Sequence, residues 1–247
     1  MSIIGITMGD PAGVGPEIIV KALADIDEFH ADYVVYGAVD IMEKYNAQLG
    51  LGCRFREIDD VKDCEKGYIN VIDPIRLTMD QYEIGRLSAK CGDAAYRYIE
   101  RSIKDALDGK IQAVVTAPLN KEALHMGGHN YDGHTEIFAT LTNTKDYAMM
   151  FYGPLKIMHV STHCSLREAC DRATKERVLT CIRLMNDALK KTGISAPHIA
   201  VAGLNPHAGE HGLFGTEEIE QLIPAVEAAK GEGVNVSGPI PPDTVFS

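Results

Sequence analysis

Four stretches of this chain combine reactive side chains with turn-forming residues, and each follows an apolar run. The first, Gly9-Asp10-Pro11-Ala12-Gly13-Val14-Gly15-Pro16-Glu17, joins a strand-like segment to a helix-like one. Its glycines let backbone N–H groups approach an anion at a helix N-terminus, although the pattern is neither a Walker A sequence nor GxGxxG. A plain tight turn explains the same residues equally well. The second combines Thr116-Ala117-Pro118 and Asn120-Lys121 with Asp132-Gly133-His134-Thr135-Glu136. A lysine charge beside histidine and threonine donors suits a phosphate. The plainer alternative has Asp132 capping a helix that begins near His134, with Lys121 solvated. The third stretch is Ser161-Thr162-His163, and the fourth is Asn205-Pro206-His207-Ala208-Gly209-Glu210. Imidazoles at two strand ends suit zinc or another divalent ion, but spacing alone does not bring His163 and His207 together. The remaining histidines, His30, His125, His129, His159, His198 and His211, read as structural or surface residues.

Such residues need elements that end at a common place. Ile3 to Met8 reads as a buried strand, and Pro16 suits the first turn of the helix that follows. Tyr33 to Tyr36 is a second apolar run, with a helix from about Asp40. Ser88 to Leu107 carries a helical apolar stripe stopped by Asp108-Gly109, and Ala113 to Thr116 reads as the next buried strand. Ala148 to Tyr152 and Leu155 to Val160 flank Gly153-Pro154 as a hairpin. Asp171 is placed to cap a helix bearing Val178, Ile182, Met185 and Leu189 and ending at Lys190, Lys191 and Gly193. His198 to Leu204 reads as a strand, Thr216 to Ala229 as a helix, and Val234 to Ile240 as a last strand. The alternation predicts an α/β fold with a largely parallel sheet and a local antiparallel excursion. In such sheets ligands gather at the carboxyl ends of strands, where all four stretches fall.

Composition narrows the partners. The formal net charge of -11 argues against nucleic acid or an anionic membrane as the main partner, though local donors can still hold an anionic small molecule. Six cysteines without a CxxC pair suit reduced thiols, and the N-terminus lacks a basic, apolar leader; both predict a cytoplasmic protein. No stretch approaches the roughly 20 apolar residues that span a bilayer.

Taken together, ITMGDPAGVGPE, TAPLNKEAL, YDGHTE, STHCSLREA, LNPHAGEHGLFGTEE and GPIPPDTVF are similar, in order and over essentially the whole chain, to the 4-hydroxythreonine-4-phosphate dehydrogenase (PdxA) family. That family includes a branch acting on threonate or erythronate 4-phosphate. The resemblance implies a fold like isocitrate and isopropylmalate dehydrogenases, a single 1–247 region of two α/β lobes flanking a cleft for substrate and NAD. It implies a homodimer and a divalent metal, zinc or else magnesium, manganese or cobalt. His163 and His207 match two of three metal histidines, and His134 and Thr135 match residues at the substrate's phosphate end. Asp243 matches an acidic residue at the substrate, and Lys121 and Asp10 lie in matching motifs, with Lys121 and Asp243 carried over as catalytic. The implied reaction is NAD-dependent oxidation and decarboxylation of a phosphorylated hydroxy acid, either 4-hydroxythreonine 4-phosphate, for pyridoxal phosphate biosynthesis, or a sugar-acid phosphate. Family members continue past DTVF with a segment bearing the third histidine, further phosphate-binding residues and part of the cofactor site. Without it, weak metal binding and little turnover are expected of these 247 residues. A non-catalytic scaffold and an acyl- or phosphotransferase of related architecture are the competing readings.

Overall fold

The computed structural model describes residues 2–24 and 32–247, so His30 lies outside the described residues. The chain divides into two compact units, Met1–Thr144 and Lys145–Ser247.

The first unit is built on five parallel strands: β1 (Ile3–Thr7), β2 (Asp32–Tyr36), β3 (Phe55–Glu57), β4 (Ile69–Ile72) and β5 (Ala113–Thr116). They lie in the order β3-β4-β2-β1-β5. The apolar runs form strands because helices cover them: α1 (Gly15–Leu23), α2 (Val39–Leu49) and α3 (Ala89–Leu107) bury Ile19, Val20, Ile41, Met42 and Tyr98 against Val34, Val35 and Val71. Pro16 occupies the first turn of α1 as expected, and Ser88 caps α3 by accepting from Cys91 N. The strand order has a consequence for function. From β1 the chain moves to β2 on one side, and only later to β5 on the other. The topological switch point therefore lies between β1 and β5, where open parallel sheets hold their ligands.

Two short helices follow β5: α4 (Lys121–Met126) and α5 (His134–Leu141). The helix near His134 is present, but its cap is Gly133 and not Asp132. Asp132 instead donates its backbone N–H to Glu136 Oε2 at 2.6 Å, leaving no side-chain cap on α5.

The second unit opens with the expected hairpin, β6 (Met150–Tyr152) antiparallel to β7 (Lys156–Met158) across Gly153-Pro154. Helices α6 (Leu166–Arg172) and α7 (Lys175–Lys191) follow. Asp171 lies inside α6, and the cap of α7 is Thr174, whose hydroxyl accepts from Arg177 N at 3.3 Å. β8 (Ile199–Ala202) pairs in parallel with β9 (Val236–Ile240). Between them the expected helix arrives as a π-helical turn, Glu218–Leu222, running into α8 (Ile223–Gly231). Pro224 has no N–H to give an ordinary helical bond, which fits a wider turn just ahead of it. Val178, Ile182, Met185 and Leu189, the stripe read from sequence, pack on Ile199, Val226 and Val236.

Candidate functional site

In the first unit the loops after β1 and β5 meet at the switch point. Gly9, at φ 71°, lies so close to the Pro118 carbonyl that a Cβ would collide with it, and Gly15 is pressed likewise on the Met8 carbonyl. Asp10 N donates to Pro118 O at 3.0 Å. The Asp10 carboxylate is buried and accepts from Ala12 N at 2.8 Å. Burial raises its carboxyl above the usual range, against the lowering effect of that hydrogen bond. Asp10 is thus an internal brace of the turn.

The second stretch is gathered around the same loops. Burial pushes the His134 imidazole below its ordinary value, and its hydrogen bond to the Ala117 backbone works in the opposite direction. Nε2 is buried and has no partner among the described residues. Thr135 is exposed on the first turn of α5. The Lys121 stem lies against Gly133, its Cε at 3.9 Å from where a Cβ would stand. Lys121, His134, Thr135 and an uncapped helix N-terminus therefore share one corner at the carboxyl end of β5, and that set suits an oxyanion group.

In the second unit a cavity of about 430 Å³ separates the loop after β7 from the loop after β8. His159, Val160 and Ser161 form one wall, and Ala202, Gly203 and Leu204 another. His163 and His207 lie a few residues along these two loops, both exposed and both at φ 52°. Left-handed backbone at a residue with a Cβ costs about 1–2 kcal/mol. From His207 to His211 five consecutive residues have positive φ, a cost that surrounding structure must offset. Glu218 supplies that support, and the sequence reading did not single it out. It is 1% exposed, and its carboxylate accepts from Leu204 N at 2.8 Å, Asn205 N at 2.7 Å and Asn205 Nδ2 at 2.9 Å. Burial would raise its carboxyl, but the Asn205 and Leu204 donors more than offset this and hold it below the usual value. The signal that might have been read is the glutamate in GTEE, at the start of an apolar helix that has no use for a buried charge.

The donor set for a metal is incomplete. Among the described residues no group of three His, Cys, Asp or Glu side chains converges to hold an ion. His163 and His207 supply two imidazoles on neighbouring loops, so an ion there would need donors from outside these side chains. Asp243 is exposed in the C-terminal turn, close in sequence to Val245 and Phe246, which line a second cavity of about 330 Å³ with β7 and β8. None of the six cysteines, all among the described residues, forms a disulfide.

Strand-end loops meeting at a switch point place the chain among α/β proteins that bind ligands at the carboxyl ends of a parallel sheet. Residues 29–247 match the family model described as pyridoxal phosphate biosynthetic protein PdxA. The chain is 49% identical over 247 residues to D-threonate 4-phosphate dehydrogenase of Salmonella typhimurium, covering 98% of this chain and 76% of that protein. It is 48% identical to the enzyme of the same name from Pectobacterium atrosepticum, covering 99% of this chain and 76% of the relative. Among solved structures, a protein described as a 4-hydroxythreonine-4-phosphate dehydrogenase from Salmonella typhimurium superposes with a TM-score of 0.91 at 47% identity, over 100% of this chain and 77% of that one. A Terephthalate 1,2-cis-dihydrodioldehydrogenase from Burkholderia xenovorans LB400 is more distant, with a TM-score of 0.69 at 28% identity, over 99% of this chain and 75% of that one. The chain belongs to the PdxA family and has its α/β dehydrogenase fold. It is an oxidoreductase, which sets aside the transferase reading. No helix among the described residues is long and apolar enough to cross a membrane.

Proposed function

We propose that the protein oxidises a four-carbon phosphorylated hydroxy acid with NAD, with D-threonate 4-phosphate as the substrate. The observation that carries this reading is the corner of Lys121, His134 and Thr135 at the uncapped start of α5. It offers a cation, an imidazole, a hydroxyl and free backbone N–H groups to one oxyanion, and so anchors the phosphate end. Such an anchor, remote from the reacting carbon, supplies binding energy that orients it. The relatives' names support threonate over 4-hydroxythreonine as the acid.

In the reaction, the hydroxyl-bearing carbon β to the carboxylate gives its hydrogen as hydride to NAD, and the hydroxyl proton passes to a base. The resulting β-keto acid loses carbon dioxide by cleavage of the bond to the carboxylate, and the enolate is reprotonated. Asp243, exposed on its turn, is assigned to substrate-side proton handling, and Lys121 to charge stabilisation at the phosphate end. A divalent ion at His163 and His207, with donors from outside the described set, would supply Lewis-acid polarisation of the hydroxyl. The protein is taken to act as a homodimer in the cytoplasm.

The test is NADH formation with D-threonate 4-phosphate against 4-hydroxythreonine 4-phosphate, metal supplied. A kcat/KM at least about tenfold higher for the threonate, about 1.4 kcal/mol of discrimination, is expected. A preference for 4-hydroxythreonine 4-phosphate would move the protein to the vitamin branch. Inactivity on both, with NAD and phosphate also failing to bind, would support the scaffold reading.

A further inference from the structure

The corner at α5 is delivered by residues 127–133, a loop with glycines at 127, 128 and 133 that has little intrinsic stiffness. Something must hold it, and the hold comes from α3. His129 Nε2 lies 2.8 Å from Asp93 Oδ1. The His129 ring stacks on Tyr96 at 3.8 Å between centroids and 11° between planes. The Tyr131 ring is also nearly parallel to Tyr96, at 5.9 Å and 10°, and His125 Nε2 reaches Tyr131 O at 3.0 Å. Tyr96 is 7% exposed and rests in a cluster with Ile99, Ile103, Leu124 and Ile137, the last of these in α5 itself. Two residues beyond Tyr131 the chain reaches Gly133 and the His134 imidazole.

We propose that His129, held between Asp93 and Tyr96, is a positioning residue for phosphate binding at the start of α5. The proposal rests on the phosphate-end reading given above. Its physical content is preorganisation: a loop of this composition left free pays its ordering entropy when the anion arrives, whereas one pinned at 129 and 131 has already paid it. The Asp93 contact fixes where the loop leaves α4. The stack on Tyr96 fixes the plane of the ring and thereby the direction of the next residues.

The experiment measures inorganic phosphate binding by calorimetry, at fixed pH, for the 247-residue chain and its variants, with thermal unfolding recorded for each. H129A is expected to weaken phosphate binding about tenfold. H129Q, which restores a donor toward Asp93, and H129F, which restores the stack, should each recover part of that loss. I103V, which loosens the same cluster and leaves the His129–Asp93 contact and the Tyr96 stack in place, should lower the melting temperature and leave phosphate affinity unchanged. With a turnover assay, H129A should raise KM for the phosphorylated acid and leave kcat within about twofold. If H129A does not fold, H129Q, H129F and D93N carry the comparison, each expected to bind more weakly than the unaltered chain. Folded His129 variants that bind phosphate as the unaltered chain does overturn the proposal, as does an equal loss in I103V. Failure of the unaltered chain to bind phosphate overturns the α5 reading and this role together.

Discussion

At the scale of single residues, His134 states what its site can hold. Its Nε2 is buried and has no partner among the described residues, and burial holds the imidazole below its ordinary value. Because the folded-state pKa lies below the ordinary 6.5, the ring is neutral at neutral pH. The stability this contributes is fully present above 6.5 and is lost as pH falls through the folded value. An anion bound at the corner reverses that balance by favouring the imidazolium, so binding should take up about one proton. Sulfate is the cleaner probe, because it does not itself titrate in this range. Calorimetry in two buffers of different ionisation enthalpy should show proton uptake above pH 6.5 that H134N abolishes. Sulfate binding without uptake would instead make Nε2 an acceptor for a substrate hydroxyl. The sequence made His134, Thr135 and Lys121 readable as a set because they lie in two short motifs. It did not reveal how deeply the fold buries the His134 imidazole. Nor did it reveal Glu218, whose importance comes from Leu204 and Asn205 folding back onto it.

At the scale of elements, the legible parts were those whose information is local. β1, α1, α3 and the β6–β7 hairpin follow from apolar runs and their stop signals. So does β5 as a strand, although it lies at the sheet edge with Ala113 and Val115 exposed and is not the buried strand expected. β3 and β4 were missed because each is short, and β4 places polar Asn70 within its buried run, its amide spent on Glu65 and Tyr68 carbonyls. The α7 cap was misplaced by three residues, since both Asp171 and Thr174 carry capping side chains and only packing chooses between them. The least legible feature is the crossing of α3 and α4. Gly92 is the fourth residue of α3, inside the helix, where exchange for alanine ordinarily gains up to about 0.5–1 kcal/mol. Here a Cβ would run into the Ala123 carbonyl, and Gly127 is pressed on Asp93 and Ala89 in the same crossing. Backbone cannot yield as a side-chain tip can, so the clash outweighs the propensity. G92A is expected to destabilise the protein by about 3 kcal/mol or more, read as a lowered melting temperature. A rise in melting temperature on G92A would show that the two helices can part without cost.

At the scale of the whole molecule, the two units should differ in stability. The first has a five-stranded parallel sheet covered by long helices, with Met8, Val34, Val35, Tyr36, Ile41 and Met42 fully excluded from water. The second has two separate two-stranded pairs, β6–β7 and β8–β9, and two-stranded ribbons are marginal in water. β7 and β8 are not bonded to each other, and cavities of about 430 and 330 Å³ are lined by residues from the ends or flanks of both. Such space is open to water, so its lining side chains contribute less burial than those of a filled core. The strained run at His207–His211 adds a further cost within the same unit. Opening of the second unit should therefore need less free energy than opening of the first. Native-state hydrogen exchange is expected to show amides of residues 199–202, 236–238 and 240 exchanging through a lower-energy opening than those of 34–36 and 69–72. A ligand seated on the second unit's loops should slow that opening in proportion to its occupancy, because binding stabilises only the closed form. Uniform exchange across both sets of strands would mean that the two units open as one, and the packing argument made from cavities and ribbons would then fail.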